Sequence, residues 1–158
     1  MHDRTRSARE WLLSVRGRRL TKALMEQFVN PDGRMSASAM FVWFQFEGRE
    51  LERVFSLYGE SVGVDAQPPV PKDMGDVGST VVRDVSRERP FSECVGRVLT
   101  GVAVIREKGR DECAGVELTF EDGSTLVVVN VGDELMAGSQ VRAAAPACDW
   151  EVETLQSS

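Results

Sequence analysis

Carboxylates and thiols are the groups in this chain with chemistry to offer. Gly132-Asp133-Glu134 is an acidic cluster placed at a strand end. Paired carboxylates there could hold a hard cation or serve as acid and base. Calcium and magnesium need more oxygen ligands than one such pair brings, and no clear second cluster is spaced to help. The plainer reading is a polar exit from a strand whose ladder ends at Gly132. Cys94, Cys113 and Cys148 are odd in number and lack Cys-x-x-Cys spacing. That speaks against a disulfide framework and a zinc site, and suits a reducing compartment. The single histidine, His2, stands at the terminus, so a buried imidazole base or a His-ligated metal is hard to build. There is no Gly-rich phosphate loop and no Gly-x-Ser-x-Gly motif. The expectation is a chain that is not an enzyme and carries no cofactor and no metal.

The acidic cluster must be positioned by the stretch Cys113 to Leu135. Val116, Leu118 and Phe120 alternate with Glu117, Thr119 and Glu121, the period of a strand with one buried face. Asp122-Gly123 favours a type I′ two-residue loop. Thr125 to Val131 returns β-branched and nearly all apolar, which predicts cover on both faces. Asn130 interrupts that run, either as a buried hydrogen-bonding residue tying the following loop down or as an outward one. Upstream, Thr5 or Ser7 caps a helix with Ala8, Trp11, Leu12 and Val15 on one face, and Gly17 ends it. Leu20–Val29, Met40–Phe46, Leu51–Tyr58, Thr80–Val85, Leu99–Ile105 and Trp150–Thr154 read as strands. Pro90 opens a second short helix closed by Gly96.

The two halves of the chain rhyme. Gly17-Arg18-Arg19-Leu20-Thr21 matches Gly96-Arg97-Val98-Leu99-Thr100, and Phe46-Glu47-Gly48 matches Phe120-Glu121-Asp122-Gly123 with one insertion. Gly59-Glu60-Ser61 matches Gly132-Asp133-Glu134. The expected architecture is therefore a single α+β domain over 1–158, with antiparallel sheets built from two pseudo-symmetric helix-plus-strands repeats. The repeat halves run from about 5–85 and 87–155, and a proline- and glycine-rich connection covers 59–79. A unit with one hairpin and one helix cannot bury its own apolar face, whereas two packed copies can. One asymmetry stands out. Trp43 and Gln45, preceded by Phe41, occupy the outward positions that Glu117 and Thr119 hold in the other half. Aromatics there suggest a surface covered by a partner, a second subunit or the helix bearing Trp11 and Leu12.

Net charge is −6, unevenly spread. Residues 1–22 carry seven basic and two acidic side chains, a local +5, which leaves twelve basic and twenty-three acidic, or −11, in the rest. Such a body repels nucleic acid and attracts basic partners. The basic stretch could meet phosphate, although a solvated helix face explains it as well. No run approaches a membrane span, and no secretory signal opens the chain, which points to the cytoplasm.

Leu99-Thr100-Gly101-Val102, Phe120 to Ser124 and Asn130 to Glu134 lie within residues 96–135, and this string resembles small uncharacterised bacterial domains. Some of those look like immunity proteins of polymorphic toxin systems. The resemblance implies a protein partner and carries over no functional residues. The resulting expectation is a non-catalytic protein-binding module, of immunity type, masking a basic partner such as a toxin, with self-association as another way to cover Phe41 and Trp43. Partner-contact candidates are Phe41, Trp43, Asp133 and Glu134. The alternative is a small-molecule- or metal-binding domain using the Asp133/Glu134 loop at the repeat interface.

Overall fold

The computed structural model describes residues 5–57, 61–146 and 148–156. His2, the Tyr58 end of one expected strand and the Gly59-Glu60 part of the matched turn lie outside them. In chain order the elements are β1 (Arg6–Ser7), α1 (Ala8–Val15), β2 (Leu20–Val29), β3 (Phe41–Phe46), β4 (Leu51–Leu57), β5 (Ser61–Asp65) and β6 (Ser79–Asp84). Then come β7 (Leu99–Glu107), β8 (Gly115–Phe120), β9 (Thr125–Val131), β10 (Glu134–Gly138), α2 (Val141–Ala144) and β11 (Trp150–Thr154).

The expected α+β class is corrected: the chain is mostly β, 49% strand and 12% helix, in two antiparallel sheets. Helix-plus-strands repeats are not what the chain builds. Proline at the second expected helix start leads into a single 3₁₀ turn, Phe91–Glu93, so the later half has no counterpart to α1. The connection assigned to 59–79 also contains a strand, β5. The first sheet runs β1-β5-β4-β3-β2-β6 and the second β10-β9-β8-β7-β11. The second therefore has the strand order of the first without β1. Registers agree as well. Leu20 faces Phe46 and Leu99 faces Phe120, each with an irregularity before the next pair.

The sheets are joined where β2 and β7 begin. Gly17 donates to the Leu99 carbonyl at 2.8 Å, and Gly96 to that of Leu20 at 2.7 Å. Both glycines sit at positive φ, +88° and +93°, which lets the chain turn into its strand without the strain a side chain would bring. Ala39 and Leu135 exchange two backbone hydrogen bonds across one seam, and Val62 donates to Cys113 across another.

Between the sheets lies the main core. Phe44, Phe46, Leu118 and Phe120 point into it from the strands, and α1 packs against β5, β7 and β8 to deliver Trp11, Leu12 and Val15, all fully buried. Ser7 caps α1 by accepting from the Glu10 amide at 3.1 Å. Trp11 meets Phe44 and Phe46 with ring centroids 5.8 and 6.1 Å apart. A smaller cluster covers the outward face of sheet two, where Ile105, Val127 and Val129 meet Ala144, Ala145 and Trp150. Both faces of β9 are thus covered, its five central residues buried. Among the described residues no helix is long and apolar enough to cross a membrane.

The Asp122-Gly123 turn differs from expectation. Only Gly123 has positive φ, and Phe120 donates to the Ser124 carbonyl, so the loop is a type I turn closed by a glycine bulge. Asp122 instead accepts from the Ser124 amide at 3.0 Å.

Candidate functional site

The acidic loop proves to be a hairpin turn. Val131 pairs with Glu134, leaving Gly132 and Asp133 as the two loop residues at φ +60° and +71°. Two positive φ values make the type I′ geometry, which suits Gly and tolerates Asp. Asn130 holds the turn from below. It is buried, accepts from the Asp133 amide at 2.9 Å and donates to the Ser61 carbonyl of sheet one at 2.8 Å.

Strand register then gathers other carboxylates around this turn. Trp150 pairs with Glu107, and the Asn130 amide donates to the Ala114 carbonyl at 2.7 Å. The result is a cavity of about 130 Å³ lined by Glu107, Arg110, Glu112, Asn130, Gly132, Cys148 and Trp150, among others. Asp111, Asp133, Glu134 and Asp149 flank it in sequence and are exposed. Glu107, Asp111, Glu112, Asp133, Glu134 and Asp149 thus stand at one end of sheet two against Lys108 and Arg110. Lys108 lies 3.8 Å from Asp149, and Arg110 lies 3.8 Å from Glu107. Asp133 and Glu134 are part of this surface. Glu107, Glu112 and Trp150 were not singled out from the sequence, since only strand pairing brings them together. The outward phase of Ile105 and Glu107 was the one available signal.

The other candidates fall elsewhere. Trp43 is 1% exposed and its Nε1–H donates to the Gln67 carbonyl at 2.8 Å, so it is not an open contact surface. The N-terminal helix does not cover it, because α1 lies against the opposite face of β3. Over it instead is Gln67, in the segment 66–78, a strap that leaves β5 and joins β6. Phe41 is half-buried beside Trp43, their ring centroids 5.7 Å apart, with the Arg53 guanidinium 4.2 Å above its ring.

The five described arginines of the basic N-terminal stretch are engaged within the fold, and Arg4 lies outside the described residues. Arg6 pairs with Glu52 at 3.4 Å and Arg9 with Glu153 at 3.2 Å. Arg16 and Arg18 donate to the carbonyls of Thr100 and Glu47, and Arg19 to that of Gly96. Arg6, Arg9 and Arg106 also line a cleft of about 510 Å³ beside Cys113 at the Val62 seam. Arg106 shares Glu153 with Arg9, so among the described residues each arginine of this cleft meets a carboxylate.

Thiol chemistry has little support. Burial, with the charges of Asp122 and Glu93 added, pushes the Cys94 thiol up to about 12, and burial raises Cys113 too. Neither is a thiolate at neutral pH. Among the described residues no three His, Cys, Asp or Glu side chains are grouped to hold a metal ion.

No family model, no curated protein and no solved structure matches the chain.

Proposed function

We propose that this chain is a non-catalytic protein-binding module, a cytoplasmic protein of immunity type that masks a basic partner with the acidic end of its second sheet. The observation that carries the reading is the folded charge pattern. Arginines of the N-terminal stretch turn onto carbonyls and carboxylates of the fold, while Asp111, Glu112, Asp133, Glu134 and Asp149 are exposed at one end of sheet two, with half-buried Glu107 beside them and Lys108 and Arg110 among them. Charge arranged in that way speeds and orients encounter with a positive surface.

The small-molecule alternative is weaker on size. A cavity of about 130 Å³ is below the ~300–1,000 Å³ of ordinary ligand pockets, but it suits the tip of one partner side chain. Trp150 is in its wall, an aromatic of the kind a guanidinium or ammonium group favours.

Affinity capture from the native host tests the reading. At low salt the chain should retain a basic protein, and that protein should elute as salt rises toward about 1 M, where the Debye length shrinks to ~3 Å. Retention of an acidic protein, or of nothing, would contradict it.

A further inference from the structure

The outward face of sheet one carries two carboxylates among aromatic rings, and they are treated unequally. Asp65 accepts from Arg53 Nε at 2.9 Å and Nη2 at 2.7 Å, and that guanidinium lies over Phe41. Glu26 has no such companion. It is 2% exposed, and its Oε2 has no hydrogen-bond partner among the described residues. Register places Phe41 opposite it on β3 and Val82 opposite it on β6. Leu24 and Phe28 are its same-face neighbours along β2, and Trp43 is opposite Leu24. A carboxylate sealed among apolar side chains is costly unless a charge or donor meets it. Aromatic faces beside it favour a cation, since a guanidinium or ammonium gains from the rings and the carboxylate together. Arg53, between Asp65 and the Phe41 ring, already shows that pairing on the same sheet.

The segment 66–78 touches this place at Gln67, beside Trp43, and at Gly78, beside Phe28, while Val70 to Val77 between them are exposed. Its polar ties to the sheet include the Trp43 indole on the Gln67 carbonyl, the Gln67 amide on Asp65 Oδ1 at 3.2 Å, the exchange between Lys72 and Thr80, each bond there 2.7 Å, and a bridge from Asp73 to Ser79. Pro68, Pro69 and Pro71 donate nothing, and Val70 and Val77 face solvent at 61% and 65%. A segment with few buried contacts opens at lower free energy than the strands beneath it.

We propose that Glu26, with Phe28, Phe41 and Trp43, forms a recognition site for an arginine or lysine side chain of a protein partner, uncovered when the strap lifts. The site is on the other sheet from the acidic end and stands without it.

The test uses the full chain carrying Glu107→Gln, Asp111→Asn, Glu112→Gln, Asp133→Asn, Glu134→Gln and Asp149→Asn, so that the acidic end cannot account for binding. A hexa-arginine peptide is titrated in and followed by NMR of amide and indole N–H signals. Binding should move the Trp43 indole signal and the amides of 67–78. Adding Glu26→Gln should weaken it at least about tenfold, the loss of a charge-assisted contact. Trp43→Phe keeps a ring but frees the strap from one anchor, so it should tighten binding by about fivefold. Opposite signs from two folded variants exclude a general loss of structure. No binding, binding with the strap signals unmoved, or equal affinity after Glu26→Gln would each overturn the site.

Discussion

Replacing Asn130 by alanine should destabilise the protein more than its modest size suggests. The side chain is 3% exposed and spans the two sheets, with Nδ2 on the Ser61 carbonyl at 2.8 Å and Oδ1 on the Asp133 amide at 2.9 Å. Its loss strands a carbonyl and an amide. A buried unsatisfied group costs about 1–3 kcal/mol. Taking about 2 for the Ser61 carbonyl and about 1 for the amide of exposed Asp133 gives a loss near ~3 kcal/mol. For a chain of this length that lowers Tm by about 6–12 °C. Ser56 supplies the control. It occupies the corresponding place on β4, but its Oγ reaches the Asp133 carbonyl only at 3.4 Å and it is partly open to solvent. Ser56→Ala should stay within about 0.5 kcal/mol. Asn130→Asp keeps the acceptor for Asp133 and turns an anion toward the Ser61 carbonyl, so it should cost at least as much as alanine. Urea unfolding of all three measures the differences. If Asn130→Ala and Ser56→Ala agree within about 0.5 kcal/mol, the buried clasp across the seam does not exist.

Three further outcomes follow from particular contacts. Arg9 first and then Arg106 hold the Glu153 carboxyl down to about 2. A depressed folded value stabilises the protein above the ordinary carboxylate value of 4.5, and that contribution is lost as pH falls toward about 2. Glu153→Gln should therefore lower Tm at neutral pH and match the parent chain near pH 2. Identical Tm at neutral pH would contradict the pairing. Gly115→Ala would place a Cβ 2.5 Å from the Val128 carbonyl oxygen and 2.8 Å from the Val129 Cα, both backbone atoms, and should cost about 2–3 kcal/mol in urea unfolding. At Gly101 the nearest atom is 3.4 Å away, and alanine there should be near neutral. Trp11 is fully buried with its Nε1 lacking a partner among the described residues. Trp11→Phe gives back about 1–3 kcal/mol of that deficit against the volume it loses, so its net effect should stay within about 1 kcal/mol.

Alternation and caps made much of the strand framework readable in advance. Val116 to Phe120 and Thr125 to Val131 declare their period, and Ser7 with Gly17 bounds α1. What escaped was set by long-range contacts. Ser61 to Asp65 is a short strand with a glycine inside it and prolines after it, so it resembles a loop until β4 pairs with it. Proline at position 90 signals a helix start equally well for three residues or ten, and here it opens three. Phe41 and Trp43 could be seen to face outward, but nothing local says that the strap rather than α1 lies over Trp43. The site shows the same division. Asp133 and Glu134 were visible as a cluster, whereas Glu107, Glu112 and Trp150 join them only through pairing of β7 with β11 and β8 with β9. Glu26 sat in plain view as a charge inside an apolar strand, and its missing partner emerges only once its neighbours are in place.

Location of charge, as distinct from its amount, decides whether the acidic end of sheet two is the working surface. Two variants settle it, each losing four negative charges. One carries Asp111→Asn, Glu112→Gln, Asp133→Asn and Glu134→Gln, and the other carries Asp32→Asn, Glu47→Gln, Asp73→Asn and Asp76→Asn at exposed positions elsewhere. In host-lysate capture at low salt, the first should lose the basic protein and the second should keep it. Equal retention by both, or equal loss from both, would contradict the assignment.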